Sequence, residues 1–210
     1  MPIIYYSFYS PVSSSIPDVA AQEHSLGRQL LLEGLQKFYR ITLSQKELKS
    51  RIQTGAMGKP FLPEYPGIHF NISHCDGLAV CAFHSRPIGV DAELPGYFAP
   101  ILPKKALSPD EQRFLKSRAA DPALEQEWFY RFWTLKEAYV KKTGTGADVD
   151  LTAFSFLYSG SEPPYRILCS DPAVSCWQMR LKRGHINSLC YEHTGDGIYA
   201  VSQNASVPEP

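Results

Sequence analysis

Pro87-Ile88-Gly89-Val90-Asp91-Ala92-Glu93-Leu94 is the segment that decides the fold, because apolar and acidic residues alternate along it. Successive side chains of a strand point to opposite faces, so Asp91 and Glu93 share one face and the aliphatic residues share the other. Two like charges side by side need a counter-charge, and carboxylate oxygens are the hard ligands that Mg²⁺ prefers. The segment therefore predicts a strand that carries part of a cation site.

The composition excludes several classes of protein. Lysine plus arginine and aspartate plus glutamate are equal at 21 each in 210 residues, which argues against nucleic acid or an anionic membrane as partner. Five cysteines without a CxxC spacing indicate reduced thiols rather than a disulfide framework. The N-terminus lacks the features of a signal peptide, and no apolar run approaches the ~20 residues of a transmembrane helix. We therefore expect a soluble cytoplasmic protein.

Apolar periodicity predicts the order of the main elements. A first strand near the N-terminus precedes helices at 22–39 and after the Ser44–Glu47 capping box, strands at 68–72, 78–84 and 88–94, helices from Ser108 and from Asp121 to Lys142, and five short strands between 154 and 202. This order predicts an α+β fold with two comparable halves. The expected divisions are residues 1–88, residues 89–205 and a flexible tail at 206–210.

The longest predicted helix has apolar residues on two opposite sides, which indicates a helix buried between other elements. Glu137 and Lys141 lie one turn apart on one of these sides, and their alternative interpretation is an ordinary ion pair worth ~0.3 kcal/mol. The two stripes are Leu124, Trp128, Phe132, Leu135 and Tyr139, and Tyr130, Trp133, Glu137, Val140 and Lys141.

Two further segments carry groups that can bind an anion. Ser73 and His74 follow a predicted strand, where a hydroxyl, an imidazole and turn amides can donate to phosphate oxygens, although polar turn residues often only bond to nearby backbone. Lys59 lies between Gly58 and Pro60, and an isolated lysine is commonly just solvated. Together with three acids and no activated nucleophile, these groups favour phosphoryl transfer by positioning and charge neutralisation.

Four motifs, in this order and separation, resemble the Sfp-like 4′-phosphopantetheinyl transferase family. They are Gly58-Lys59-Pro60, Phe70-Asn71-Ile72-Ser73-His74, Gly89-Val90-Asp91-Ala92-Glu93 and Trp133-Thr134-Leu135-Lys136-Glu137-Ala138-Tyr139-Val140-Lys141. The resemblance implies a pseudo-dimer of two similar α+β lobes, with coenzyme A and magnesium bound in the cleft between them.

The resemblance also implies roles for individual residues. Those implied are the metal ligands Asp91, Glu93 and Glu137, the coenzyme A ligands Lys59, Pro60, Ser73, His74 and Lys141, and the catalytic pair Glu137 and Lys141. Relatives carry basic residues before the first helix that grip the nucleotide, whereas here only His24 and Arg28 are available to substitute for them. Glu137 is the expected general base, acting directly or through a water.

The implied activity is transfer of the phosphopantetheine arm of coenzyme A to a serine hydroxyl of a carrier protein, with release of adenosine 3′,5′-bisphosphate. We expect a monomer that binds coenzyme A and an acyl, peptidyl or aryl carrier protein, and neither nucleic acid nor membrane. Two alternatives remain: a catalytically silent scaffold for coenzyme A or carrier proteins, and a metal-dependent phosphotransferase with another donor.

Overall fold

The computed structural model describes residues 1–12, 15–146, 148–160, 163–194 and 197–203, and it confirms the predicted mixed α+β class. The elements in chain order are β1 (Ile3–Phe8), α1 (Ile16–Tyr39), α2 (Gln45–Arg51), β2 (Gln53–Thr54), β3 (Pro60–Phe61), β4 (His69–Cys75), β5 (Leu78–His84), β6 (Ile88–Glu93), α3 (Leu102–Ala106), α4 (Pro109–Lys116), α5 (Pro122–Thr143), β7 (Phe156–Ser159), β8 (Arg166–Cys169), β9 (Val174–Arg180), β10 (Ile186–Glu192) and β11 (Tyr199–Ser202).

The strands form two main sheets and one small hairpin. The first sheet has the order β11-β1-β5-β4, the second has the order β6-β10-β9-β8-β7, and β2 pairs with β3. In the second sheet β10 runs antiparallel to β6, with Ser188 opposite Asp91. Each sheet therefore ends in a strand, β4 or β6, that comes from one of the predicted motifs.

Three apolar clusters hold these layers together. Leu30, Leu31 and Leu35 of α1 pack on the first sheet, and aromatic and aliphatic residues of α5 pack on the second. Between the sheets, side chains such as Val80 of β5 and Val90 of β6 share a third cluster. The order of layers is thus α1, first sheet, second sheet and α5, and this order buries both faces of β5 and of most of β10.

Local sequence signals explain where the helices begin and end. Ser44 and Ser108 each form the predicted capping box with the glutamate three residues later. The Asp121 carboxylate accepts hydrogen bonds from the first turn of α5, and Gly144 ends that helix with a φ of 68°. These helix termini were therefore predictable from a few residues around each end.

Helix α5 is buried around most of its circumference, as its two apolar stripes predict. Trp128, Phe132 and Leu135 pack in the cluster on the second sheet, and Val140 on the other stripe is also buried. The expectation for Leu124 was wrong, because its side chain is 39% exposed. Leu124 lies in the first turn of α5, where residues 121–124 are all exposed, so that turn projects beyond the elements that cover the helix.

Several boundaries differ from the sequence prediction. Helix α1 begins at Ile16 rather than Gln22, the segment expected to be loop at 59–66 contains β3, and α3 begins inside the expected connection at 95–103. Strand β11, expected in the second half, pairs with β1 of the first sheet. The division at residues 88 and 89 stays a prediction, and the predicted tail at 206–210 lies outside the described residues.

The cysteines are free thiols, and burial raises the pKa of the Cys75 and Cys81 thiols. None of the helices in the described segments has both the length and the apolar character that crossing a membrane requires.

Gly89 allows the closest approach between β6 and α5. A Cβ atom at this position would overlap the Ala138 carbonyl oxygen and the Lys142 backbone nitrogen. Both atoms belong to the backbone of a helix and cannot rotate away. The glycine of the predicted acidic strand is therefore required by helix packing.

We predict that Gly89→Ala lowers the free energy of unfolding by about 3 kcal/mol or more, because the added methyl group overpacks a rigid contact. Gly67→Ala is the matched control, since Gly67 is exposed and a Cβ there meets no atom within 4 Å. Urea unfolding of both variants measures the difference, and equal stability of the two would contradict the packing argument.

Candidate active site

The edge strand β4 of the first sheet lies beside the edge strand β6 of the second, and side chains replace a main-chain ladder there. The Val90 N–H donates to Asn71 Oδ1 at 2.9 Å, and the Ala92 N–H donates to Ser73 Oγ at 3.3 Å. Both bonds are buried, so they satisfy donors of an edge strand that water does not reach. We call this junction the seam. It fixes the backbone on either side of Asp91.

Asp91 lies at the centre of the seam. Its Oδ1 accepts hydrogen bonds from the Lys141 ammonium at 2.6 Å and from the Ser73 hydroxyl at 3.0 Å, and Lys141 also donates to Ser73 Oγ at 3.2 Å. Its Oδ2 is buried and has no hydrogen-bond partner among the described residues. Burial raises the pKa of Asp91, although Lys141 and Ser73 oppose that shift. Three predicted site residues therefore touch each other directly.

Glu93 and Glu137 share the electrostatic environment of Asp91. Burial, followed by the charge of Asp91, raises the pKa of Glu93 to about 7, and the Trp133 indole N–H opposes this by a hydrogen bond. The same two causes raise the pKa of Glu137, and Lys141 opposes them. Each of these carboxylates is disfavoured as an anion by its neighbours, so added positive charge would relieve the site.

The described residues nevertheless contain no group of three His, Cys, Asp or Glu side chains that could hold a metal ion as they stand. The three acids are close enough for their charges to interact, but their side chains are not arranged to coordinate one metal ion together. Their joint metal-binding role stays a prediction. The unpartnered Asp91 Oδ2 is the observation that fits a cation, since a buried carboxylate oxygen needs a positive partner.

Lys136, next to Glu137, is part of the core and not of this site. Its ammonium forms an ion pair of 2.8 Å with Glu111 and donates to the Leu151 carbonyl at 2.8 Å, and both side chains are almost fully buried. Glu111 also accepts the Phe156 N–H at 2.7 Å. The pair joins α4, α5 and β7 and fixes the rotation of α5, which directs Glu137 and Lys141 toward the seam.

Lys59 and Pro60 lie on the flank of the seam. The Lys59 ammonium donates to the carbonyl oxygens of Ile88 and Lys142, each at 2.9 Å. Burial, with a smaller effect of Lys142, lowers the pKa of Lys59 to about 8. Both Lys59 and Pro60 line a cavity of about 320 Å³ beside Lys142. Lys59 therefore has a structural contact in addition to its predicted role.

His74 faces α1 rather than the three acids. Its Nδ1 lies 3.1 Å from the carboxylate of Glu23, and its ring makes an edge contact with the ring of His24 at a centroid distance of 5.2 Å. Burial lowers the pKa of His74, Glu23 opposes this, and the charges of His24 and Lys141 add to it. Sequence reasoning missed the contact of Glu23 with the predicted site residue His74, since no local pattern connects the two.

His24 and Arg28 line a cleft of about 840 Å³ between α1 and α2, and Pro60 also lines it. Lys46 and Lys49 of α2 line the same cleft, so four groups that can carry positive charge surround it. The two lysines were also missed, although their spacing on one face of a short capped helix is visible in the sequence. Only the packing of α2 against α1 brings them to His24.

The predicted residues thus form a chain of neighbouring groups. Ser73, Asp91 and Lys141 are in contact at the seam, with Glu93 and Glu137 beside them, and His74 connects this region with α1. The arrangement can bind a polyanion through its basic groups while carboxylates accept a proton or a cation. The Lys59 ammonium bonds two backbone carbonyls on the flank of this chain of groups.

Comparisons with known proteins support this chemistry. A family model, ACPS of the 4′-phosphopantetheinyl transferase superfamily, matches residues 87–194, which is just over half of the chain. The chain is 36% identical over 105 residues to 4′-phosphopantetheinyl transferase Sfp of Bacillus subtilis (strain 168), covering 50% of this chain and 46% of that protein.

Two other relatives extend the similarity. The chain is 28% identical over 137 residues to 4′-phosphopantetheinyl transferase psf-1 of Bacillus pumilus, covering 65% of this chain and 56% of the relative. It is 40% identical over 98 residues to 4′-phosphopantetheinyl transferase HetI of Nostoc sp. (strain PCC 7120 / SAG 25.82 / UTEX 2576). This match covers 42% of this chain and 39% of that relative. The chain thus spans about half the length of the curated relatives it matches. The matched family model covers β6, α5 and β10, and this chain belongs to the 4′-phosphopantetheinyl transferase superfamily.

Proposed function

We propose that this protein transfers the 4′-phosphopantetheine arm of coenzyme A to a serine hydroxyl of a carrier protein and releases adenosine 3′,5′-bisphosphate. The seam carries the proposal: Asp91, Ser73 and Lys141 are in direct contact, and Glu93 and Glu137 lie within reach of the same charges. Family membership and the names of the relatives support this choice among phosphoryl transfers.

Magnesium is the cation that we propose for the three acids. Asp91, Glu93 and Glu137 would hold it, because burial disfavours the anionic forms of all three carboxylates and Asp91 Oδ2 has no hydrogen-bond partner within the described part of the chain. When bound, Mg²⁺ supplies charge neutralisation for a pyrophosphate and Lewis-acid polarisation of its oxygens.

The protein's own residues perform the remaining steps. The carrier serine oxygen forms a bond to the β-phosphorus of coenzyme A, and the bond from that phosphorus to the bridging oxygen of adenosine 3′,5′-bisphosphate breaks. Glu137 receives the serine proton, directly or through a water. Lys141 stabilises the negative charge on the transferred group.

Coenzyme A would extend from the seam along the α1 side of the protein. The cleft of about 840 Å³ lined by His24, Arg28, Lys46 and Lys49 has a size and charge that suit an adenosine 3′-phosphate. His74 lies between this cleft and the seam, where it can meet a phosphate. The predicted phosphate contact of Ser73 competes with the bonds that its hydroxyl makes to Asp91 and Ala92.

The proposal includes a monomeric, cytoplasmic protein with coenzyme A and a carrier protein as partners. A single chain supplies both sides of the seam, from β4 and from β6 with α5, so a second copy is not required. Free thiols fit a reducing compartment. The equal numbers of acidic and basic residues argue against nucleic acid and anionic membranes as partners.

A catalytically silent scaffold is the alternative from the sequence. Loss of one of the three acids or of Lys141 would favour it, but all four residues are present and Lys141 contacts Asp91. The active transferase is therefore the better proposal.

Glu137→Gln should lower the transfer rate by about 10²–10⁴-fold, because the amide cannot accept the serine proton. The measurement is the mass gain of one phosphopantetheine on an apo carrier protein over time, with coenzyme A and Mg²⁺. Glu125→Gln on the same helix is the control and should retain its rate. Near-normal turnover of Glu137→Gln would remove Glu137 from the mechanism, and no mass gain with wild-type protein on several carrier classes would favour the scaffold.

Lys59→Gln should weaken coenzyme A binding about tenfold while leaving the unfolding midpoint nearly unchanged. Glutamine is one atom shorter but keeps a neutral N–H donor on the side of the Ile88 and Lys142 carbonyls, whereas the charge near the ligand is lost. Calorimetric titration with coenzyme A tests this, with Lys116→Gln on the exposed face of α4 as control. A large loss of stability with unchanged affinity would assign Lys59 to structure alone.

Arg28→Gln should weaken binding of adenosine 3′,5′-bisphosphate about tenfold, since one charge-assisted contact to phosphate is lost. The effect should shrink at high salt, where charges are screened. Arg113→Gln on α4 is the control, because Arg113 is exposed and pairs with Asp110 on the same helix. Equal affinity of wild type and Arg28→Gln for adenosine 3′,5′-bisphosphate would mean that the nucleotide does not bind in this cleft.

A further inference from the structure

Two tyrosines, one in β1 and one directly after it, each donate a hydrogen bond to a glutamate of α1. One of these two glutamates also contacts a histidine. The Tyr5 hydroxyl donates to Glu33 at 3.0 Å, and the Tyr9 hydroxyl donates to Glu23 at 2.6 Å. The Glu33 carboxylate also accepts hydrogen bonds from Gln203. The Glu23 carboxylate instead uses its second oxygen for His74.

The contacts of Glu23 are distributed so that each oxygen has its own partner. Oε1 accepts from Tyr9, whose hydroxyl also lies 3.1 Å from the Cys75 carbonyl, and Oε2 lies 3.1 Å from Nδ1 of His74. The Glu23 side chain is only 14% exposed, and Tyr9 is buried. The hydrogen bond from Tyr9 to one oxygen therefore fixes the orientation of the Glu23 carboxylate, whose other oxygen faces the imidazole.

We propose that Glu23 is a positioning residue for His74: it fixes the imidazole ring through Nδ1 and supports the imidazolium whose Nε2–H binds a coenzyme A phosphate. This inference rests on the proposed function, because it needs a phosphate at His74. It names Glu23 and its partner Tyr9 as parts of the substrate site, although neither belongs to the four motifs of the sequence.

The chemistry of imidazole explains why the carboxylate is needed. A neutral histidine has a single N–H, and donation of that proton from Nδ1 to Glu23 leaves Nε2 as an acceptor that repels phosphate oxygens. Only the imidazolium can donate to the carboxylate and to a phosphate together. The carboxylate thus aligns the ring and offsets the charge, as carboxylates do for other functional histidines.

The environment of His74 otherwise opposes its protonation. Burial lowers the pKa of His74, and the neighbouring His24 and Lys141 also lower it, whereas Glu23 raises it. Glu23 is the anion among these groups, and Tyr9 remains a neutral donor because burial and Glu23 raise its pKa. Removal of the Glu23 charge should therefore lower the pKa of His74 further.

The first test is an NMR titration of the His74 imidazole in the full-length protein without ligand, with His74→Gln to assign its signal. In Glu23→Gln the His74 titration should move to lower pH than in wild type, whereas Glu33→Gln should leave it unchanged. Glu33 is the matched control because it makes the corresponding tyrosine bond from the same helix without a histidine. An unchanged titration in Glu23→Gln, or an equal shift in both variants, would overturn the proposal.

The second test is steady-state transfer with coenzyme A as the varied substrate. Glu23→Gln should raise KM for coenzyme A about tenfold and leave kcat within about twofold, the loss expected for one charged hydrogen bond. Because the imidazolium is required, the rise in KM should be smallest at acid pH, where His74 is protonated without help, and largest above neutrality. Glu23→Asp, which keeps the charge, should restore part of the affinity.

A double-mutant cycle separates this role from a purely structural one. If Glu23 acts through His74, Glu23→Gln should have no effect on KM in a His74→Ala background. An equal effect with and without His74 would mean that Glu23 only supports α1, and the proposal would fail. A protein that binds no coenzyme A would overturn the proposed function, while the NMR titration would still report the Glu23–His74 contact separately.

Discussion

The rest of the site depends on two hydrogen bonds, which the backbone N–H groups of Val90 and Ala92 in β6 donate to the side chains of Asn71 and Ser73. An edge strand in a protein interior must find partners for its N–H groups, and here the partners are side chains of the neighbouring sheet. A side-chain bond fixes the strand without merging the sheets into one. Asp91 is therefore held between them, where it meets Lys141 from α5.

The acids next to this junction are held in an unfavourable environment. Burial raises the pKa of Asp91, Glu93 and Glu137, the charge of Asp91 raises the pKa of the two glutamates further, and the Lys141 ammonium opposes these shifts. The buried Lys136–Glu111 pair and the close contact of Gly89 with α5 hold the helix in place nearby. Functional sites commonly combine rigid packing with carboxylates whose pKa is raised. Rigid packing is needed there because a flexible backbone would move the like charges apart.

Much of the fold was predictable because its signals are local. The capping boxes at Ser44 and Ser108 and the glycine after α5 set helix ends from a few neighbouring residues, and the strands around the motifs followed from alternation. The errors occurred where local patterns are weak or context decides. The short strand β3 has two residues, Leu124 lies in the exposed first turn of α5, and β11 returns to the first sheet through a long-range pairing.

The sequence by itself determined the α+β class, the acids on one strand and the glutamate and lysine one turn apart on a doubly buried helix, because spacing along a strand or helix fixes which side chains share a face. Only the tertiary structure decided which residues meet across elements. The bond between Glu23 and His74, the use of Lys59 on two carbonyls and the cleft shared by α1 and α2 each join residues distant in sequence. Such contacts depend on how the helices and sheets pack. The spacing of residues along one strand or helix does not determine which residues of another element they meet.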